Sequence, residues 1–492
     1  MKQFMRAVLG TAAAMLAAWM ILSCGTAEGT EDRELFRPQN FTGETLSETE
    51  KELNEYLTEM KREADALPGN QADYGNPNTD RAATAGTALY QFVSELPKGG
   101  ELHAHECTLI SFERFLEILR DKTMICLEAG DQYGYLYARN NPNLPETAVL
   151  LDQALREGQI GEKELYDLLV VSGEDADFGY WNHLNHSFAI TGGLKTDPEL
   201  LTAIYEQGFR YAQEIGLELV ELRVSFKPEE EVNLATLEPI REAYYRVRRE
   251  FADFRVRVVA LGGKGFKYTV EFAEDALREG IRLSKTFLDE FDPEHPETFI
   301  VALDLVNEED KGRPLSEYAD FFLSEEVKES GLKVYLHCGE SLRMDNESVI
   351  DAYLYGAARV GHGLNLYRFP ELTEKYKEQN IAMEICPMSN HLLGYVKDLR
   401  LHPAVYYLRK GIPIVLCSDD GLYMTGQPLV DDWYAAVVSW DLTLGEIKEI
   451  CRNSIVYSSL SETEKARMMQ VWEKQWEEFC QKQLEAFRTK AA

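Results

Sequence analysis

Positive charge is scarce in this 492-residue sequence, which has 51 Lys and Arg residues against 84 Asp and Glu. The formal net charge is therefore −33 at pH 7. A surface this acidic repels the phosphate backbone of DNA and RNA, so no nucleic-acid partner is expected. The same charge disfavours highly charged nucleotides to a smaller degree. A small neutral molecule is the expected substrate.

The sequence also lacks the cysteine spacing of a disulfide framework. Its eight cysteines are spread along the chain, and no two of them form a CxxC pair. If Cys24 carries a lipid, as argued next, seven remain, and an odd number cannot all pair. We therefore predict buried thiols that behave as small apolar side chains.

Long apolar runs are missing beyond the first 23 residues. There, Lys2 and Arg6 precede the run AVLGTAAAMLAAWMILS, which ends at Cys24 and has the form of an export signal. Because ILSC resembles a bacterial lipobox, we predict a lipoprotein-type signal peptide over 1–23. The protein would be anchored by a lipid on Cys24, on the periplasmic or cell-surface side, with ordinary cleavage and secretion as the alternative. A membrane-spanning helix is disfavoured because the run is short and an acidic tail follows it.

From Gly99 onward, apolar segments typical of strands alternate with amphipathic segments typical of helices. The predicted strands are 101–105, 217–225, 254–261, 299–306, 333–338, 358–362, 381–386 and 412–418. Eight apolar strands separated by helices predict an α/β fold, a (β/α)8 TIM barrel with parallel strands buried on both faces.

Other segments flank or interrupt this alternation. In chain order, we predict a linker over 24–46, N-terminal helices over 47–97, the barrel over 98–460 and a C-terminal helix over 461–492. Within the N-terminal extension, helices are predicted at 47–67 and 82–95. The interval from 106 to 216 is too long for one crossover helix, so an insertion is expected after the first strand, with an inserted subdomain over 124–175.

Several polar side chains follow the predicted strands at their carboxyl ends, where barrels carry their functional groups. His103 and His105 end the first strand, and side chains two apart on a strand share a face. His337 ends the fifth strand and Asp419 follows the eighth. Three nitrogens and one carboxylate oxygen suit Zn²⁺ with a further position for water. We therefore predict one Zn²⁺ per chain on these four residues.

Further ionisable groups accompany the predicted ligands. Glu340 lies three residues after His337 and could donate a proton to a ring nitrogen if burial keeps it protonated. His362, between two glycines, could take or hold the proton of a water molecule. Asp420 could accept or share a hydrogen bond from a heterocycle. Together these groups suit hydrolytic attack on an electron-poor ring carbon.

Each of these features has a structural alternative. An HxH pair is more often a structural accident than a metal site, and His362 could be a hydrogen-bonded core histidine. Asp419 and Asp420 could cap the segment that follows them. The occurrence of all the features at strand ends, in barrel order, favours the functional interpretation.

The remaining histidines are assigned to less specific roles. His183 and His186, three apart on a predicted helix, are expected to form a lid or plain surface instead of a second metal site. His391 follows the seventh strand and could line the site. His295 and His402 each neighbour a proline and are predicted as loop residues.

The motifs LPKGGELHAHE, HCGE, RVGHGLNL, ICPMSN and SDDG, in this order over most of 90–440, resemble those of the adenosine deaminase family of metal-dependent hydrolases. The exported chain, the extra N-terminal helices and the acid after the HxH pair are most similar to its larger, secreted growth-factor type. That type commonly dimerises through its N-terminal helices. The resemblance therefore implies a homodimer formed through residues 47–97.

The resemblance also implies an activity and residue roles. It implies zinc-dependent deamination of adenosine or deoxyadenosine to inosine and ammonia, outside the cytoplasm, for salvage of purines. The zinc ligands would be the four residues named above. Glu340 would protonate N1 of the purine as water adds at C6, His362 would orient and deprotonate that water, and Asp420 would bind N7.

Departures from the family pattern keep other substrates open. Asn307 stands where the family usually has a glycine whose backbone meets the purine N3. Cys107 and Thr108 stand where compact members often have Asp-Gly, and Glu106 could take over a sugar contact or support His105. The alternative is therefore the same chemistry on adenine or another 6-aminopurine. A non-catalytic nucleoside-binding surface protein is a further alternative.

Overall fold

The structure, a computed structural model, describes residues 46–69, 76–127, 134–171 and 180–491. The predicted signal peptide and lipid site, and all but the last residue of the predicted linker, lie outside the described residues. Within the described part of the chain, no helix is both long enough and apolar enough to cross a membrane.

Eight parallel strands pair in chain order to form a barrel. They are β1 (Gly99–His105), β2 (Leu217–Ser225), β3 (Arg255–Gly263), β4 (Ile300–Val306), β5 (Lys333–Cys338), β6 (Arg359–His362), β7 (Ala382–Ile385) and β8 (Ile414–Leu416). Just beyond β8, Asp419 closes the barrel: its N–H donates to His103 O at 2.9 Å, and His105 N–H donates to Asp419 O at 3.2 Å. The predicted (β/α)8 fold is confirmed.

The barrel strands are apolar on both faces because helices cover their outer side. In β3, RVRVVALGG, every residue but the last is buried. The helix Val270–Leu283 that follows begins at Thr269, whose hydroxyl accepts the N–H of Phe272, and it buries alanine, leucine and isoleucine side chains along one face. A Cβ on its Gly280 would lie 2.8 Å from the Cβ of Ala260, so glycine permits the close packing of helix on strand.

The α-helices are distributed along the whole described chain. They are Glu48–Asp65, Arg81–Ala85, Ala88–Glu95, Phe112–Lys122, Leu151–Arg156, Glu162–Leu169, Tyr180–Thr191, Pro198–Glu214, Glu230–Arg248, Val270–Leu283, Ala319–Phe322, Glu325–Ser330, Ser348–Leu354, Pro370–Glu378, Pro387–Leu392, Pro403–Lys410, Gly421–Met424, Val430–Ser439, Leu444–Val456 and Glu462–Ala491. The predicted helix at 82–95 is interrupted after Ala85. There the hydroxyl of Thr87 accepts the N–H of Tyr90 and starts a second helix.

The first and last of these helices pack against each other and against the barrel. Trp476 Nε1 donates to Glu50 Oε1 at 2.8 Å, and the rings of Tyr56 and Phe487 are in contact. Trp472, fully buried, donates to the carbonyl of Pro97 at 2.8 Å, directly before β1. The terminal helices are thereby tied to the start of the barrel.

The segment between β1 and β2 carries its own small sheet and core. Its antiparallel strands are Thr123–Leu127, Gly134–Ala138 and Val149–Leu150. Apolar side chains of this sheet pack with the helices that follow it and with residues after β7 and β8. The hydroxyls of Thr191 and Tyr423 lie 2.7 Å apart, which joins the segment to the chain beyond Asp420. The insertion therefore lies next to the carboxyl ends of the strands.

Candidate metal and substrate site

The four predicted metal ligands meet at the carboxyl ends of β1, β5 and β8. His337 Nε2 lies 3.0 Å from His103 Nε2 and 3.3 Å from His105 Nε2. Asp419 Oδ1 is 3.1 Å from His105 Nε2 and 3.7 Å from His103 Nε2. Residues more than 200 positions apart in the sequence are thus brought to one point of the barrel rim.

Buried carboxylates behind two of the ligands set the direction of their lone pairs. His103 Nδ1 donates to Glu384 at 2.8 Å, and His337 Nδ1 donates to Asp304 at 2.8 Å. The buried guanidinium of Arg223 pairs with both carboxylates. When Nδ1 carries the proton, Nε2 bears a lone pair. The Nε2 lone pairs of His103 and His337 therefore face each other. That arrangement is repulsive unless a cation lies between them.

The donor set fits a divalent transition-metal ion. Two donors that are each 2.0–2.1 Å from a tetrahedral ion lie about 3.4 Å apart, close to the nitrogen separations given above. His103, His337, His362 and Asp419 form one buried group of metal-binding side chains, and His105 belongs to an adjoining group with Asp419. These residues can therefore bind a metal.

Two strand-end residues, His362 and Asp419, adopt left-handed backbone, with φ of 63° and 57°. Such a conformation is uncommon outside glycine and concentrates at functional sites. The glycines beside His362 are required by crowding. A Cβ on Gly361 would lie 2.7 Å from His103 Cε1, and one on Gly363 would lie 2.0 Å from a neighbouring side chain. The GHG sequence thus lets the ring of His362 approach the metal-binding group.

Glu340, directly after β5, is buried with one unpartnered carboxyl oxygen. Oε1 has no hydrogen-bond partner among the described residues, and the nearest ring nitrogen, His362 Nδ1, is 3.7 Å away. Burial, reinforced by the charges of Asp419 and Glu309, raises the pKa of Glu340 well above its usual value. The shift favours the protonated form of the carboxyl, which can donate.

Glu309 holds the loop that carries this carboxyl. Its carboxylate accepts the N–H of Glu340 at 2.8 Å, the N–H of Gly339 at 3.3 Å and the side-chain amide of Asn346 at 2.9 Å. Burial opposes this charge, but Lys264 and the hydrogen bonds hold the pKa of Glu309 below its usual value. A fixed negative charge therefore lies directly behind the proton donor.

We expect Glu309→Gln to move the alkaline limb of the kcat–pH profile to lower pH. Glu340 acts in its protonated form, so activity falls as pH rises through its pKa. Because the Glu309 charge raises that pKa, its removal lowers the pH at which activity is lost. Steady-state rates across pH, compared with those of the exposed control Glu317→Gln, measure this shift. An unchanged alkaline limb would contradict the assignment.

A cavity of about 460 Å³ opens from the metal-binding group. Its wall includes His105, Glu340, His362, Asp419, Asp420, Glu106 and Asn307, and thus nearly all of the predicted site residues. The inserted segment contributes Trp181, Leu184 and Phe188. Apolar and aromatic walls with a few convergent polar groups are typical of sites for small organic molecules.

The predicted substrate-binding residues have different partners at the cavity. Glu106 pairs with Lys195 at 2.8 Å and accepts the N–H of Ser225 at 2.5 Å. These contacts fix the Glu106 carboxylate beside Lys195 and the end of β2. The side-chain amide of Asn307 donates to the carbonyl of Glu308 at 3.2 Å.

Asp420 stands at the start of the short helix Gly421–Met424, yet its side chain makes no capping hydrogen bond. The capping alternative is therefore wrong for this residue. Burial, reinforced by the charge of Asp419, raises the pKa of Asp420 to about 7. Near neutral pH it can thus carry a proton and donate a hydrogen bond to a ligand.

One of the other histidines has a structural role that the sequence did not indicate. His402 is a buried residue, and its ring caps the helix Pro403–Lys410 by accepting the N–H of Ala404 at 3.0 Å. His402 itself lies outside the helices on either side of it, as predicted for a loop residue, and its imidazole lone pair serves as an N-cap. His183 Nε2 lies 3.3 Å from the carbonyl oxygen of Leu168, within the insertion. His391 Nδ1 lies 2.8 Å from the carbonyl oxygen of Val396.

Sequence reasoning assigned no role to Asp304, Glu384 or Glu309. A signal for the first two was present, because each is a carboxylate inside an otherwise apolar strand, in ALDLV and AMEIC. Such residues are almost never buried unless they are paired. Glu309 lies in the acidic stretch NEED, where nothing in the sequence distinguishes it from its neighbours.

We expect Asp304→Asn to weaken metal binding by about 10–100-fold, the usual effect of losing a carboxylate behind a histidine ligand. An amide in that position no longer imposes the Nδ1–H tautomer on His337. Competition with a coloured chelator measures the dissociation constant. Asp320→Asn, an exposed exchange of the same kind, is the control. Equal affinity of wild type and Asp304→Asn would rule out this support.

Comparisons with known proteins agree with this geometry. A family model for adenosine deaminase matches residues 203–474. The chain is 30% identical over 464 residues to adenosine deaminase of Phlebotomus duboscqi, covering 88% of this chain and 87% of that protein. It is 25% identical to adenosine deaminase 2 of Dictyostelium discoideum, covering 80% and 75%.

Solved structures share the fold. Arabidopsis ADAL complexed with GMP superposes with a TM-score of 0.56 at 18% identity, over 78% of this chain and 98% of that one. An amidohydrolase from Burkholderia ambifaria with bound Zn superposes with a TM-score of 0.53 at 15% identity, over 81% and 96%.

Proposed function

Because this chain belongs to the adenosine deaminase family, we propose that it hydrolyses adenosine or deoxyadenosine to the 6-oxo nucleoside and ammonia, using one Zn²⁺ per chain. The observation that carries this proposal is the buried, unpartnered carboxyl of Glu340 in a cavity shared with the metal-binding histidines. A proton donor next to a metal site is the combination that hydrolytic deamination requires.

His103, His105, His337 and Asp419 would hold the zinc ion. When bound, Zn²⁺ supplies a water molecule whose pKa is lowered to about 7. The imidazole-rich donor set supports zinc, as does the Zn-containing amidohydrolase of the same fold.

The remaining groups act on the purine and on the water. Glu340 gives its proton to N1, which makes C6 electron-poor, while His362 orients the oxygen that adds to C6. The C6–amino bond then breaks: the amino group takes the remaining proton of the added oxygen and leaves as ammonia, and that oxygen becomes the 6-oxo group. Asp420 in its protonated form would donate to N7, and the backbone N–H of Asn307 would meet N3.

The location and assembly of the protein are part of the same proposal. The protein would be exported, anchored through a lipid on Cys24, and would serve purine salvage outside the cytoplasm. It would dimerise through the helices within 47–97, with the barrel over 98–460 and the C-terminal helix over 461–492. Support comes from the form of the first 23 residues and from the similarity to adenosine deaminase 2.

A second candidate is the same reaction on another 6-aminopurine. Glu106, which could contact a sugar, is already paired with Lys195, which would suit a base without ribose. Lys227 and Lys267 also line the cavity, and cations there would suit a phosphate. Adenine and AMP are therefore the informative competitors of adenosine.

We expect adenosine and deoxyadenosine to give the largest kcat/KM in a panel that includes adenine and AMP. Ammonia release by purified protein, with and without a chelator, measures this. Preference for adenine or AMP would replace the proposed substrate but keep the reaction. No chelator-sensitive ammonia release from any of them would contradict deamination and favour a binding protein.

A further inference from the structure

A chain of hydrogen bonds leads from a helix start to His362, and its direction can be read from donor chemistry alone. The chain begins at His402, whose Nδ1 is 3.0 Å from the backbone N–H of Ala404. A backbone N–H can only donate, so this Nδ1 bears a lone pair. The His402 ring is therefore neutral and carries its proton on Nε2. Its complete burial, which lowers the pKa of His402 to about 3, agrees with this.

The next link sets the orientation of an amide. His402 Nε2 lies 3.1 Å from Asn390 Oδ1, so the ring N–H donates to the amide oxygen. The amide nitrogen Nδ2 must then face the other way, where it lies 3.1 Å from His362 Nδ1. An amide N–H only donates, so His362 Nδ1 is an acceptor. A ring that accepts at Nδ1 carries its single proton on Nε2.

The proton-bearing Nε2 of His362 faces the metal-binding group. It lies 3.9 Å from Asp419 Oδ2, which is too long for a hydrogen bond, and that oxygen already accepts the hydroxyl proton of Ser389 at 2.7 Å. Ser389 and Asn390 are neighbours on the single short helix Pro387–Leu392. One element after β7 thus orients both Asp419 and His362.

We propose that Asn390 and His402 are positioning residues that hold His362 as the Nε2–H tautomer, so that it presents a hydrogen-bond donor to the attacking oxygen. In this tautomer Nε2 has no lone pair. His362 therefore orients the oxygen without taking its protons: one is lost to solvent when the water ionises, and the other passes to the departing amino group. The part played by His362 in the reaction rests on the proposed function, whereas its tautomer does not.

The test is nitrogen NMR of the full-length protein with ¹⁵N-labelled histidine. Long-range proton–nitrogen correlations distinguish a protonated from an unprotonated ring nitrogen, and the His362 signals are those lost in His362→Gln. We expect wild type to show Nε2–H and a bare Nδ1. Asn390→Asp should reverse this, because a carboxylate accepts from both rings and requires a proton on His362 Nδ1. Asn380→Asp, the same exchange at an exposed site, should change nothing.

Activity separates a positioning role from a purely structural one. Asn390→Asp should lower kcat by about tenfold or more, the usual cost of a misdirected hydrogen bond, with little change in KM. If Asn390→Asp does not fold, His402→Asn keeps a capping side chain but removes the Nε2–H donor, and His362 should then lose its single tautomer.

Two results would overturn the proposal. One is a proton on His362 Nδ1 in wild type. The other is a loss of rate in Asn390→Asp or His402→Asn while His362 keeps the Nε2–H tautomer. Since the spectra need no substrate, the expected tautomer in a protein without adenosine deamination would refute the proposed function and leave the hydrogen-bond chain intact.

Discussion

Replacing Glu340 with Gln is expected to lower kcat for adenosine by at least about 100-fold, the usual contribution of a positioned proton donor. The carboxyl is buried beside Asp419, which raises its pKa and favours the protonated form, and its Oε1 has no partner among the described residues and is available to the substrate. An amide has the same size and no net charge. It can still donate a hydrogen bond to N1, but it cannot transfer a proton. Binding should therefore be retained while the chemical step is lost.

The control for this exchange is Glu329→Gln, on an exposed face of the helix Glu325–Ser330. Because protonated Glu340 and Gln are both neutral, the thermal unfolding midpoint should change little. Rates of ammonia release and of substrate loss, measured together, give kcat and KM. If Glu340→Gln kept more than a tenth of wild-type kcat, the proton would have to come from another group.

Removal of the metal is expected to lower kcat by at least about a thousandfold, because water without zinc has a pKa near 15.7 and not near 7. Dialysis against a chelator tests the whole site, and His337→Ala tests one ligand at its centre. His337 is the natural choice because its Nε2 lies within 3.3 Å of the Nε2 atoms of both His103 and His105.

Elemental analysis should find one zinc per chain in active protein and less in His337→Ala. Added Zn²⁺ should restore the dialysed wild type but not the variant, while the exposed His295→Gln should behave as wild type. Full activity in protein without any transition metal would contradict the proposed site, whatever the substrate.

The residues at the strand ends show how much of the site could be predicted from the sequence. His103, His105, His337 and Asp419 could be predicted to converge because side chains two apart share a strand face and because parallel strands end at one rim of a barrel. His402 could not be interpreted in this way. Proline is common both in loops and at the first position of a helix, so the proline after His402 did not indicate that this residue caps a helix.

The contacts of Glu384 and Asn390 could not be predicted from local sequence patterns. Glu384 lies 281 residues from the imidazole that it orients, and Asn390 lies 28 residues from His362. Neither spacing is a periodicity of a helix or a strand. These contacts exist because β7 lies between β6 and β8 in the closed barrel, so that Glu384 on β7 meets His103 on β1 and Asn390 after β7 meets His362 at the end of β6.

The sequence alone therefore determined the barrel, its family and the side chains at its rim, because these follow from apolar periodicity and from the order of short motifs. Only the tertiary structure decided which ring nitrogens carry protons, that Glu340 is left without a partner, and that Glu106 is paired with Lys195. Protonation and hydrogen bonding depend on burial and on neighbours within about 3 Å, and those neighbours come from distant parts of the chain.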